Sequence, residues 1–166
     1  MIPAALHDAI TALGMTPGMI APLINGLTDD QLRLKHSPDE FSALENICHL
    51  RDIEVEAYTP RIARILAETN PLLPDVDGGR LAAEREYNQE DPSEALDSFR
   101  LARQNNVQHL RALGGEQIDR VGTLEGVGVI SIQKLLEMMQ EHDESHVRDL
   151  EIICRRCART SAQSES

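Results

Sequence analysis

From Ser131 to about Cys157 the chain repeats apolar residues with the period of a helix: Ile132, Leu135, Leu136, Met139, Val147, Leu150, Ile153, Cys154 and Cys157. A helix patterned this way has to bury its stripe against other elements. Composition narrows what those elements are. The chain has 166 residues, 41% apolar but only 2% aromatic and with no Trp, so Leu, Ile, Val, Ala and Met must build the core. Sheet-rich folds draw on aromatic and β-branched residues, and the shortage of the first kind favours helix. The length suits one domain, since a chain of about 150 residues buries roughly 70% of the surface it exposes unfolded.

Three further helical segments precede this one. The first covers about 3–25 and ends near Asn25-Gly26; Gly14, Pro17, Gly18 and Pro22 predict that it is broken or kinked. A short turn over Leu27–Leu32 and a polar loop through Glu40 lead to the second, which opens at Ser42. Ser42-Ala-Leu-Glu45 is a capping-box pattern, and Leu44, Ile47, Cys48, Val55, Tyr58, Ile62, Ile65 and Leu66 carry the period on to about Thr69. A loop over about 70–90 holds Pro71, Pro74, Gly78 and Gly79, with one helical turn around Arg80–Arg85. The third helix opens at Asp91-Pro92-Ser93-Glu94, with Asp as N-cap and Pro in the first turn, and runs to Leu113 before Gly114-Gly115. Residues 116–130, punctuated by Gly122, Gly126 and Gly128, read as a loop or a short extended excursion. Residues 158–166 have nothing to bury and read as a disordered tail. The expected architecture is all-α: a four-helix bundle over 1–157 with a long loop between its second and third helices, a fold whose interior often houses metal and ligand sites.

Charge narrows the partners. Sixteen Lys and Arg against 28 Asp and Glu give a net charge of −12 and a pI near 4.8. Such a surface repels a phosphate backbone, and no basic block offsets it, so neither a nucleic acid nor an anionic membrane is the expected partner. No stretch approaches the roughly 18 to 20 consecutive apolar residues of a membrane helix, and the N-terminal residues lack the pattern of a signal peptide. Three cysteines make no disulfide framework. A cytoplasmic domain is expected.

The chemistry concentrates on the fourth helix, where His146 falls in the middle of the apolar stripe and His142 at its edge. Residues four apart stack on one face about 5 to 6 Å apart, near enough for both imidazoles to reach one metal ion; core packing is the alternative. His142-Asp-Glu-Ser-His146 is not the metalloprotease pattern H-E-x-x-H, because Asp143 stands where Glu is required. On the second helix His49 lies on a flank with Glu45, Asp52 and Glu56, either as a third ligand or as a bystander on a polar face. Arg103 and Asn106 interrupt the apolar stripe of the third helix beside Phe99, Val107 and Leu110. The guanidinium there either forks onto an anionic substrate, pairs with an internal carboxylate such as Asp52 or Asp143, or snorkels outward. Glu45 is a capping-box acid or a group orienting His49 one turn on; Asp143 and Asp149 hold imidazole N–H groups or are solvated. Cys154 and Cys157 lie at the wrong end of a helix for a reactive pair and read as packing. His7, His36 and His109 read as surface or capping residues.

The stretch Phe41-Ser-Ala-Leu-Glu-Asn-Ile-Cys-His49-Leu-Arg-Asp-Ile-Glu54 resembles the W-S-x-x-E-x-x-x-H-L-x-D-x-E signature of the DinB-like, YfiT-like superfamily, with Phe41 where Trp is usual. Leu135-Leu-Glu-Met-Met-Gln-Glu-His142-Asp-Glu-Ser-His146 resembles that family's closing H-D-x-x-H helix, and Glu86–Pro92 and the Gly-punctuated stretch before Ser131 match in order and spacing. The resemblance covers roughly residues 20–157. It implies an up-down four-helix bundle holding one divalent metal ion through His49, His142 and His146, with Zn or Ni expected first and Fe or Mn next. It further implies a metal-dependent enzyme, a thiol S-transferase or a hydrolase acting on a small molecule, in which the metal activates a low-molecular-weight thiol or water. Arg103, Asn106 and Tyr87 would then contact substrate, and relatives pairing through helix faces imply a homodimer. A non-catalytic metal-binding or stress-response module is the other reading of the same site.

Overall fold

A computed structural model describes residues 4–164. Its body is four helical arms. They are α1 (Ala4–Ile24), a second arm made of α3 (Ala43–Ile53) and α4 (Thr59–Ala67), α6 (Pro92–Arg111) and α8 (Ile132–Ser164). Shorter helices α2 (Asp29–Arg33), α5 (Gly78–Glu84) and α7 (Gly115–Ile118) sit in the connections. The starts follow local chemistry. Ser42 Oγ accepts the Glu45 N–H at 3.1 Å while Glu45 Oε2 accepts the Ser42 N–H at 2.8 Å. Asp91 accepts the N–H groups of Ser93 and Glu94, both at 2.9 Å, and Pro92 fills a first-turn position that needs no donor.

The main packing partners of α1 are α8 and α6, and those of α3 are α6 and α8. The first and second arms, and likewise the third and fourth, therefore sit diagonally across the bundle, while the second and third are neighbours, an arrangement the long connections permit. Two apolar clusters fill the interior. One gathers around Ile10, Ile65, Leu110 and Leu135, the other around Ile20, Ile47, Phe99 and Leu150. Every arm also buries polar groups: Thr16 on α1, Glu54 on the second arm, Arg103 and Asn106 on α6, and Asp143 on α8.

Four local features differ from the sequence reading. First, α1 runs unbroken through Pro17 and Pro22. Pro17 has no N–H for the carbonyl of Leu13 four residues back, and Arg103 Nη1 donates to that oxygen at 2.9 Å instead. Second, the second arm contains a π-helical turn at Glu54–Tyr58. The Thr59 N–H reaches back to the Glu54 carbonyl, which also accepts Thr59 Oγ1 at 2.8 Å, just ahead of Pro60, which has no donor. The extra residue shifts the helical phase, so Val55, expected in the stripe, is 49% exposed and Glu54 is fully buried.

Third, the extended alternative within residues 116–130 is the one that forms, and with an unexpected strand from the long loop it adds a small sheet to the bundle. β1 (Leu72–Leu73) from the long loop pairs in parallel with β2 (Val121–Leu124), which pairs antiparallel with β3 (Gly128–Ser131). Gly126 and Gly128 turn the hairpin at φ 74° and 106°, a region glycine enters without steric penalty. Fourth, α8 continues past Cys157 to Ser164, in place of the disordered tail expected from 158. Helical hydrogen bonds are local and need no burial, and Thr160 Oγ1 adds one to the Arg156 carbonyl at 3.1 Å; residues 165–166 lie outside the described residues. No helix among the described residues is long and apolar enough to cross a membrane.

Candidate metal centre

Because α3 and α8 are neighbours, His49 meets His142 and His146, one helical turn apart on α8. The three rings converge through one kind of atom. His142 Nε2 lies 3.0 Å from His49 Nε2 and 3.2 Å from His146 Nε2. Burial pushes the pKa of each ring down to about 4, helped by a neighbouring imidazole in each case. All three are therefore neutral near pH 7, the form that ligates metals.

Protons alone cannot satisfy this cluster. Each Nε2 carries either a proton or a lone pair, so the one on His142 serves at most one of its two contacts. The Nδ1 atoms of His49 and His142 are buried without a hydrogen-bond partner. Three neutral imidazoles aimed at one point suit a divalent ion of borderline softness, so the residues present fit a metal.

Aromatic rings wall the cluster. The Phe41 ring lies 5.2 Å from that of His49 and stacks 6.5 Å from that of His146, and Tyr58 meets His142 edge-on at 6.0 Å. Gly78, at the start of α5, packs on His49 so closely that a Cβ there would stand 2.7 Å from Nδ1. Arg85, at the end of α5, donates to Asp52 Oδ2 at 2.6 Å and ties α5 to α3. Beside Phe41 and Asn46 a cleft of about 300 Å³ opens between the loop before α3 and the later part of α8, edged by Asp39, Asp149 and Arg156.

The three expected ligands come together, but the residues expected around them serve other purposes. Arg103 is 1% exposed, with its guanidinium on Asp143, Glu54 and the Leu13 carbonyl. Asn106 Nδ2 donates to Glu54 Oε1 at 2.7 Å and Thr59 Oγ1 at 2.8 Å. Both belong to an internal network; for Arg103 this is the pairing with Asp143 that the sequence reading offers beside an anionic substrate, while Asn106 is held inside where a substrate contact is expected. Tyr87 is likewise turned inward, its hydroxyl donating to Asp52 Oδ2 at 2.7 Å. Glu45 is the capping acid and also pairs with Lys35 at 3.2 Å; its carboxylate orients no imidazole. Asp143 accepts from Thr16 Oγ1 at 2.6 Å and from Arg103, so its carboxylate holds no ligand N–H either. Asp149 is exposed on the cleft edge.

Three neighbours of the cluster escaped sequence reasoning: Asn46, whose Oδ1 lies 2.6 Å from His146 Nδ1, Gly78, and Tyr58 as a wall. Asn46 carried a faint signal as a polar residue between Leu44 and Ile47. Gly78 carried none, since loop glycines rarely announce what they touch.

The fold and site define a class: a four-helix bundle with a three-histidine centre inside it. The chain belongs to the DinB superfamily, whose family model matches residues 12–150 and so includes all three histidines. Among solved structures, YfiT from Bacillus subtilis matches with a TM-score of 0.86 at 20% identity, over 95% of this chain and 91% of that one. That protein is described as a probable metal-dependent hydrolase with an unusual four-helix bundle topology. No curated protein matches the chain.

Proposed function

We propose that the protein is a metal-dependent enzyme in which His49, His142 and His146 hold one divalent ion and an external nucleophile completes the centre. The observation that carries this reading is the convergence of three neutral Nε2 atoms at 3.0 and 3.2 Å. Held by three histidines, such an ion would keep room for an outside group and would make a water or a small thiol easier to deprotonate near pH 7. Zn or Ni is the first expectation for the ion, Fe or Mn the next.

The chain's own residues supply position and surroundings and leave the nucleophile to come from outside. The Cys48 thiol is buried beside the Tyr87 carbonyl and pushed up to about 12, which keeps it protonated. Cys154 and Cys157 sit far along α8, and burial raises both. Among the described residues no carboxylate touches the ring nitrogens of His49 or His142, so neither is set up as the base of a nucleophilic triad. Phe41 and Tyr58 pack aromatic surface against His49 and His142.

Hydrolysis is the reading placed first, supported by the description of YfiT; transfer of a low-molecular-weight thiol to a small electrophile would use the same free position. Elemental analysis of tag-free protein, purified without chelators or a nickel column, tests the centre. About one equivalent of a divalent metal is expected, followed by turnover of ester, amide or thiol-acceptor panels with that metal. Absence of uptake on titration would overturn the mechanism, and full loading without turnover would favour a non-catalytic binding module. Unchanged metal content in His49→Ala would overturn the ligand set.

A further inference from the structure

His146 differs from the other two ligands in having a partner for its second ring nitrogen, Asn46 Oδ1 at 2.6 Å. Which end of the Asn46 amide faces the ring is decided at its other end. There the amide lies 2.8 Å from the Ser42 carbonyl oxygen. A carbonyl only accepts, so the group facing it is the NH2, and the group facing His146 is the oxygen. Asn46 is 1% exposed, so solvent cannot substitute for either partner. Ser42 is itself fixed, as N-cap of α3 with its hydroxyl donating to Asn88 Oδ1 at 2.6 Å and its carbonyl also accepting the Asn46 backbone N–H at 3.0 Å.

We propose that Asn46 is a positioning residue of the metal centre: anchored on the Ser42 carbonyl, it holds His146 in the Nδ1–H tautomer and so presents a bare Nε2 lone pair to the cation. The amide oxygen can only accept, so Nδ1 must carry the proton of the neutral ring. That removes one way for the metal-free cluster to satisfy itself, because His146 can no longer donate toward His142. Whichever way His142 is protonated, one of the contacts at 3.0 and 3.2 Å then lacks a proton of its own. The cap of α3 is thereby coupled to the donor set on α8, and this coupling biases the cluster toward a cation over protons.

The inference rests on the metal reading for its effect on affinity, while the tautomer is a property of the metal-free protein. Long-range 1H–15N correlation spectra of metal-free protein at neutral pH should show His146 as Nδ1–H. Asn46→Leu should populate the Nε2–H form and weaken Co2+ binding about 10- to 100-fold in competition with a chromophoric chelator. Asn46→Asp keeps an acceptor facing Nδ1 but gives up the donor to the Ser42 carbonyl, so it should retain the Nδ1–H tautomer and bind Co2+ more tightly than Asn46→Leu, at a cost in folding stability. A merely structural Asn46 would leave the tautomer unmoved. Finding His146 as Nε2–H in the metal-free wild type would overturn the proposal, as would a folded Asn46→Leu that binds Co2+ as tightly as wild type. If the wild type takes up no Co2+, the metal reading fails, and the wild-type spectrum alone still decides the assignment of Asn46.

Discussion

The ionic cluster around Arg103 and the histidine cluster around His142 meet at adjacent residues of α8, yet they are built on opposite rules. In the first, the charged groups answer one another: Arg103 on Asp143 and Glu54, Thr16 on Asp143, Asn106 on Glu54 and Thr59, which leaves Arg103 Nε without a partner but no charge unpaired. In the second, three neutral rings aim one atom each at a common point, and two Nδ1 atoms have no partner. Buried polar groups in folded proteins are nearly always paired, so a cluster left short is the one to examine for an outside ligand. A paired buried charge says much less about function, however prominent it looks in the sequence.

This contrast makes measurable claims. The largest effect belongs to the ionic cluster. Arg103→Met leaves two carboxylates buried without their cation, and urea denaturation should show a loss of about 3–5 kcal/mol. A variant as stable as wild type would mean that the network is not what holds the middle of the bundle. His142→Ala should behave in the opposite way, abolishing metal uptake while the metal-free protein stays folded. Saturating the wild type at about 100 times the dissociation constant should add about 2.7 kcal/mol of stability, and the same titration should add nothing to His142→Ala.

Gly78→Ala probes the wall of the centre. Its Cβ would press on His49, so a loss of about 1–3 kcal/mol is expected, with weaker metal binding alongside it. Wild-type affinity in that variant would show that α5 yields without moving the ligand. The smallest effect is expected from Tyr87→Phe, which removes one hydrogen bond to an Asp52 that Arg51 and Arg85 still hold. About 1 kcal/mol should be lost in thermal unfolding, with metal uptake unchanged. A selective change in turnover would instead return Tyr87 to the substrate side.

Much of the fold was legible because it rests on local rules. The Ser42–Glu45 box, the Asp91-Pro92 start and the apolar stripe of α8 each act within a few residues, and each stands where the sequence reading puts it. The failures came where a distant group changed a local rule. Pro17 reads as a helix breaker until Arg103, 86 residues on in the chain, takes over the carbonyl that the proline cannot serve. Val55 reads as core until the π-turn before Pro60 shifts the phase and brings Glu54 inward to meet Arg103. At the β2–β3 hairpin the sequence left loop and extended segment open, and it gave no sign of the strand recruited from the long loop, because a few residues between glycines carry too little pattern to separate strand from loop.

For the site, the i, i+4 pair His142 and His146 was set by the sequence, since helical periodicity by itself brings them onto one face. The family resemblance supplied His49, but periodicity alone left it balanced between ligand and bystander. The tertiary structure brought it to the other two, by packing α3 against α8 and bringing together side chains 93 residues apart. It also moved Arg103, Asn106 and Tyr87 from expected substrate contacts to internal partners, and showed that Asn46 is what meets His146. The physical reason is range. Turns, caps and stripes are fixed by neighbours along the chain, whereas the pairing of a buried polar group depends on which distant group the packing of whole helices delivers to it.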